Sequence, residues 1–202
     1  MPSTNLPYTR EEQELLLSIA TNSIASGLRY GIPYAIDLEH YPPSFAKPSA
    51  TFVTLQLNSQ LRGCIGHLEA SRPLAEDVSE NAFSAAFHDN RFPQLTEAEF
   101  QALEIHISIL STPQPLSFVD EADLLAQIQP GKDGLILSEG RQRGTFLPSV
   151  WESLPHKADF LRHLKQKAGF PADYWSNRLS VERYTTFSFG NSISNILCVK
   201  NR

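Results

Sequence analysis

The residues of this chain best suited to chemistry stand in one short run, Leu61-Arg62-Gly63-Cys64-Ile65-Gly66. Cys64 is one of two cysteines among 202 residues, and an arginine sits two positions before it. A thiolate is a nucleophile, and a nearby cation favours it over the thiol. If the run is a strand, side chains alternate across it. Arg62, Cys64 and Gly66 then share one face, and Leu61, Gly63 and Ile65 share the other. Same-face neighbours on a strand lie about 7 Å apart, which brings the guanidinium close to the thiol. Glycines within a strand mark places where a ligand or another backbone comes near. The same residues also suit plain packing, because a free cysteine is commonly a small buried hydrophobe.

A base for Cys64 would have to come from His67, His88 or His106. His67 lies three residues on, so alternation turns it to the opposite face unless the strand ends first. A second patterned stretch, Asp89-Asn90-Arg91-Phe92-Pro93-Gln94-Leu95, reads as a rigid connection. One helix separates it from the six-residue run and must pack back across the sheet, so Asp89 or Arg91 is expected near Cys64. Cys64, His67 and His88 do not have zinc-ligand spacing, and structural zinc usually takes four ligands. No metal and no cofactor are expected.

The elements that position these residues follow from local signals. Thr51–Leu57 alternates and is joined to residues 61–66 by the polar Asn58-Ser59-Gln60, which predicts a hairpin. Thr9 and Glu12 have capping-box spacing, and Leu15, Leu16, Ile19, Ala20 and Ile24 give an apolar stripe. A helix is expected over 10–29, stopped by Gly31 and Pro33. Residues 31–50, with four prolines, read as irregular. Pro73 opens a helix ending near His88, with Leu74, Val78, Ala82, Ala85 and Ala86 as its stripe. Thr96 and Glu99 cap a short helix to Phe100. Leu103–Ile109 alternates: Leu103, Ile105, Ile107 and Ile109 face the core, and Glu104, His106 and Ser108 face away.

Beyond Pro113 and Pro115, a short helix is expected over 120–128 and a turn over 130–134. A hairpin follows through Leu135-Ile136-Leu137 and Gly144-Thr145-Phe146-Leu147. Asp159–Ala168 reads as a helix with Phe160, Leu161 and Leu164 inward and Gly169 as its stop. Val181–Phe189 reads as one strand, and Ile196, Leu197 and Val199 as a further short one. Hairpins and irregularly interleaved helices point to an α+β fold with a largely antiparallel sheet flanked by helices.

Composition narrows the function. Apolar residues make up 41% and charged residues 19%, as in a globular chain with a sizeable core. The net charge of −5 and the lack of a basic stripe argue against nucleic acid. The glycines near residue 131 lack the Gly-Lys-Ser/Thr ending of a phosphate loop. No apolar run approaches the ~18 residues of a membrane span, and no secretory leader is expected from the polar, proline-bearing start. Two cysteines far apart make no disulfide framework, which points to reduced thiols in a cytoplasm.

The order of motifs resembles the AMMECR domain family, and in bacteria the A component of the AmmeMemoRadiSam system. The resemblance rests on Leu61-Arg62-Gly63-Cys64-Ile65-Gly66, then Pro73-Leu74 and the alanine-rich helix, then Asp89-Asn90-Arg91-Phe92. Gly131-Lys132-Asp133-Gly134, Phe146-Leu147-Pro148 with Trp151, and Lys167-Ala168-Gly169 with Trp175 continue it. Asn90 stands where the family usually has proline, and Gly190 where an acidic residue often follows the last phenylalanine. The resemblance implies a single domain over 9–190 with short extensions, built as a main lobe plus a smaller lobe. It also implies two partners, a Memo-type protein and a radical SAM protein.

Two functions compete. A binding component would use Arg62, Gly63, Cys64, Gly66, Asp89, Arg91 and Phe92 to hold a partner or a small anionic ligand, since arginine suits bidentate carboxylate or phosphate recognition. An enzyme would use Cys64 as a nucleophilic or redox thiol, with Asp89 and Arg91 orienting the substrate.

Overall fold

A computed structural model describes residues 7–199 of the chain. It forms two compact units, one of residues up to Leu110 together with those from Phe187 on, the other of Ser111–Thr186. Each has its own four-stranded sheet and its own apolar core.

In the first unit, helix α1 spans Arg10–Tyr30. Thr9 caps it with both halves of the expected box, and Gly31 ends it at φ 73°, the left-handed conformation a C-terminal glycine supplies. Leu16, Leu17, Ile19, Ala20 and Ile24 are buried, whereas Leu15 of the expected stripe is 39% exposed. Two single turns of 3-10 helix, Leu38–His40 and Pro43–Ala46, organise the stretch expected to be irregular, and Phe45 plugs the core from it. Strands β1 (Thr51–Leu57) and β2 (Gln60–Gly66) form the hairpin. Helix α2 (Leu74–Phe87) packs on both of them, and the short α3 (Glu97–Phe100) leads into β3 (Leu103–Leu110).

β3 pairs antiparallel with β1 and buries Leu103, Ile105, Ile107 and Ile109 as its alternation demands. The second unit contains β4 (Gln114–Pro115), α4 (Glu121–Gln127), β5 (Gly134–Glu139), β6 (Gln142–Phe146), a 3-10 turn at Pro148–Glu152, α5 (Lys157–Lys167) and β7 (Ser180–Tyr184). Its strand order is β4-β7-β5-β6, all antiparallel. Trp151 stacks on Phe160 with ring centroids 3.7 Å apart and donates its indole N–H to the Asp133 carbonyl at 2.7 Å.

Two expectations are corrected at the C-terminal end. The single strand expected over 181–189 is two strands in different sheets: β7 belongs to the second unit, and β8 (Thr186–Ser192) completes the first as β2-β1-β3-β8. The residues expected to add a strand form helix α6 (Ile193–Val199) instead. Ile193, Ile196 and Leu197 recur at helical spacing, and together they reach the first core. A short apolar run is locally ambiguous, and burial of that face decides it.

Candidate functional site

The site grows out of the β1–β2 hairpin. Asn58 and Ser59 are its two loop residues, at φ 53° and 61°. Positive φ at both is the signature of the turn whose twist matches paired strands. The register then shifts: Leu55 faces Gly63, but Gln56 faces Leu61, so Arg62 has no partner in β1. This bulge interrupts the alternation between Arg62 and Cys64, so a shared face no longer follows from it.

Arg62 turns instead to α3. It is 8% exposed, and its Nε and Nη2 donate to Glu99 Oε1 and Oε2 at 2.7 and 3.2 Å. Glu99 Oε2 also accepts the Thr96 N–H and hydroxyl at 2.9 and 2.8 Å. The Arg62 guanidinium, with Thr96 assisting, pulls the Glu99 carboxyl down to about 2. Arg62 therefore ties β2 to α3, and its charge is spent on Glu99 rather than on the thiol.

The two glycines of the run serve close backbone approach within the fold. A Cβ on Gly63 would stand 2.1 Å from the Ala85 carbonyl oxygen of α2, and one on Gly66 2.3 Å from that of Thr51. Neither spacing leaves room for a side chain.

Asp89 and Arg91 come to Cys64, as expected, and their target is its main chain. β2 is an edge strand of its sheet. The Cys64 N–H donates to Asp89 Oδ2 at 2.9 Å, and the Cys64 carbonyl accepts from Arg91 Nη2 at 3.3 Å. Arg91 also clamps Asp89, Nε to Oδ1 at 2.9 Å and Nη2 to Oδ2 at 2.7 Å, while its own N–H reaches Oδ1 at 3.1 Å. The pair thus satisfies the edge as a neighbouring strand would. The Arg91 side chain foremost, then the Cys64 and Arg91 N–H groups, holds the Asp89 carboxyl well below the usual carboxylate range, against the effect of burial. Asp89 in turn raises Arg91, with a smaller push from Cys64. The Asp89 side chain is 5% exposed and that of Arg91 56%. The Phe92 ring has two guanidinium carbons near it, Arg62 at 5.9 Å and Arg91 at 5.5 Å from its centroid.

The Cys64 thiol is partly exposed, and Sγ accepts a hydrogen bond from the Thr54 hydroxyl at 3.2 Å. Thr54 lies opposite Cys64 on one side and opposite His106 on the other. Two strand spacings, about 10 Å, therefore separate the Cys64 and His106 main chains. His106 Nε2 is 3.8 Å from Glu104 Oε2, beyond hydrogen-bonding distance, and has no such partner among the described residues. His67 Nδ1 stands 3.8 Å from Asp77 Oδ1 on α2, and His88 packs edge-on against Phe83. Among the described residues no histidine is hydrogen-bonded to the thiol. Among the described residues no three His, Cys, Asp or Glu side chains are placed to hold a metal.

Sequence reasoning passed over a buried polar knot beside the hairpin. Asp77 Oδ2 accepts the Thr51 N–H at 3.0 Å, the Thr51 hydroxyl at 2.7 Å and an Asn81 amide N–H at 3.0 Å. Burial raises the Asp77 carboxyl above its ordinary value, with Thr51, Arg72 and His67 pulling the other way. The available signal was the i, i+4 pair Asp77 and Asn81 on the apolar face of α2, since polar groups at core positions need partners there. The knot fixes α2 against the start of β1.

Residues 17–189 match the AMMECR1 family model. A protein of Methanothermobacter thermautotrophicus is 36% identical over 172 residues, covering 83% of this chain and 87% of the relative. A protein of Methanococcus aeolicus is 37% identical over 168 residues, covering 81% and 80%. The crystal structure of an uncharacterised protein from Pyrococcus horikoshii superposes with a TM-score of 0.82 at 30% identity, covering 91% of this chain and 93% of its own. The fold, the motif order and these likenesses agree, and the chain belongs to the AMMECR1 family.

Proposed function

We propose that this protein is a ligand- or partner-binding component that acts in the cytoplasm with a Memo-type protein and a radical SAM protein, and that it binds through Arg91, Phe92 and Cys64 at the β2 edge. One observation carries the reading. Arg91 is held by Asp89 and the Cys64 carbonyl through Nε and Nη2. Its Nη1 donors have no partner among the described residues, and the side chain is 56% exposed. A guanidinium anchored on one edge and free on the other loses little conformational entropy on binding a carboxylate or phosphate. The two named partners rest on the family resemblance. Both cysteines are free, in keeping with a reducing compartment, and no helix of the described residues is long and apolar enough to cross a membrane.

The test is affinity for the two partner proteins, measured by biolayer interferometry. Arg91→Lys keeps the charge beside Asp89 and loses the fork. It should weaken binding at least about tenfold, the loss of one charge-assisted hydrogen bond, measured well below the urea midpoint, which should itself fall because the bonds to Asp89 and the Cys64 carbonyl are lost. Wild-type affinity in Arg91→Lys, or no affinity of the native chain for either partner, overturns the reading.

A thiol enzyme is the second reading, favoured by the Thr54 hydroxyl bound to Sγ. Alkylation of Cys64 by iodoacetamide decides it. A rate that rises well below the free-thiol value of about 8.5 supports chemistry, and one that follows the free thiol supports binding alone.

A further inference from the structure

The second unit contains a cleft of about 380 Å³ that the site above does not use. One wall is the segment Leu116–Val119, fixed by the Leu116 N–H to the Val181 carbonyl at 2.8 Å. The other is Trp175–Ser180. Glu139 secures it by accepting from Tyr174 and Ser176 hydroxyls at 3.1 and 3.4 Å and by an ion pair with Arg178 at 2.9 Å. Both walls are therefore built before any ligand arrives.

The lining has no charged side chain. Its two aromatic residues are Trp175 and Phe118, with centroids 5.7 Å apart and planes at 58°. The tilt leaves no parallel slot in which a flat base could be sandwiched. Beside the rings stand Ser117, Asn177 and Ser180, all exposed, with hydroxyl and amide groups that make no hydrogen bond among the described residues. Trp175 is braced by Lys165, whose ammonium lies 5.4 Å from its ring while bonded to Glu121 at 2.8 Å. Arg178, a second nearby cation, is paired with Glu139.

An aromatic face rimmed by uncharged donors and acceptors fits a ligand that is apolar on one side, hydroxylated at its edge and carries no charge. The volume lies at the small end of ligand pockets, which run from about 300 to 1,000 Å³. We propose that this cleft binds a neutral sugar, its pyranose ring stacked on Trp175 and its hydroxyls bonded to Ser117, Asn177 and Ser180. The assignment is independent of the β2-edge site.

Intrinsic fluorescence tests it on the full chain. The protein has two tryptophans, and Trp151 is 4% exposed under Phe160, so a ligand-induced change reports Trp175. Glucose, galactose and N-acetylglucosamine are titrated beside glucose 6-phosphate, adenosine and a proline-rich peptide. At least one neutral sugar should give a saturable change in the millimolar range. By calorimetry, Asn177→Ala should weaken that sugar about fivefold, the loss of one hydrogen bond, with an unchanged urea midpoint because Asn177 is exposed. Trp175→Leu should abolish binding, and if it does not fold, Asn177→Ala and Ser180→Ala carry the test. The proposal is overturned if no neutral sugar binds, if both of those variants bind as the native chain does, or if the phosphate, the nucleoside or the peptide saturates the cleft instead.

Discussion

Asp89 accepts from the Cys64 N–H and from three donors of Arg91, so its charge is worth more to the folded chain than its position in a loop suggests. Asp89→Asn should cost about 1–3 kcal/mol in urea unfolding at neutral pH. The pH dependence has a definite sign. Asp89 and Glu99 both have folded values below their unfolded ones, so their stabilisation is complete above the unfolded values and is lost as pH falls through the folded ones. For Glu99 that window runs from about 4.5 to about 2. The unfolding free energy should decline across it, and Asp89→Asn should flatten the slope; an equal slope in the variant would show that Asp89 does not carry it. Cys64→Ser keeps an acceptor for the Thr54 hydroxyl at a partly exposed position, so stability should change by less than about 1 kcal/mol. If the variant binds its partner normally but melts early, Cys64 is a packing residue; Cys64→Ala then separates the thiol's bulk from its reactivity.

Among the elements, the hairpin is where composition and geometry disagree most. Ser59 holds φ 61°, which a residue with a Cβ adopts at a cost of about 1–2 kcal/mol. Ser59→Gly should therefore raise stability by about 1 kcal/mol, read from the denaturation midpoint. Gly63→Ala should act in the opposite direction. Its Cβ would meet the Ala85 carbonyl at 2.1 Å, and main-chain atoms of a packed helix cannot swing aside as a side chain does. A loss of about 3 kcal/mol is expected, and a neutral result would mean that α2 slides on β2. Gly63 lies within the six-residue run and Ser59 in the turn before it, yet their importance is in helix approach and strand twist.

Taken whole, the chain has two cores that share no residue. The ends of Ser111–Thr186 meet, since the Ser111 N–H donates to the Thr185 carbonyl at 2.9 Å and the Thr185 N–H to the Ser111 hydroxyl at 3.0 Å. Residues 111–186 made alone should thus unfold cooperatively, and a featureless denaturation curve would show that this core needs the rest of the chain. Whatever depends on neighbours within a few residues was legible beforehand. The Thr9–Glu12 cap, the alternation of β3, the hairpin and the glycine stops each state their structure within one turn or one strand. The motif order was enough for the family. Distant pairing was not legible in that way. The bulge at Arg62 is a property of two strands in register, and Arg62 finds Glu99 37 residues on. Asp89 was expected near Cys64, but not as the acceptor for its main chain 25 residues back. The division of 181–189 between two sheets and the helical tail were settled the same way. Local propensity there is nearly balanced, and burial against one core or the other supplies the free energy that decides.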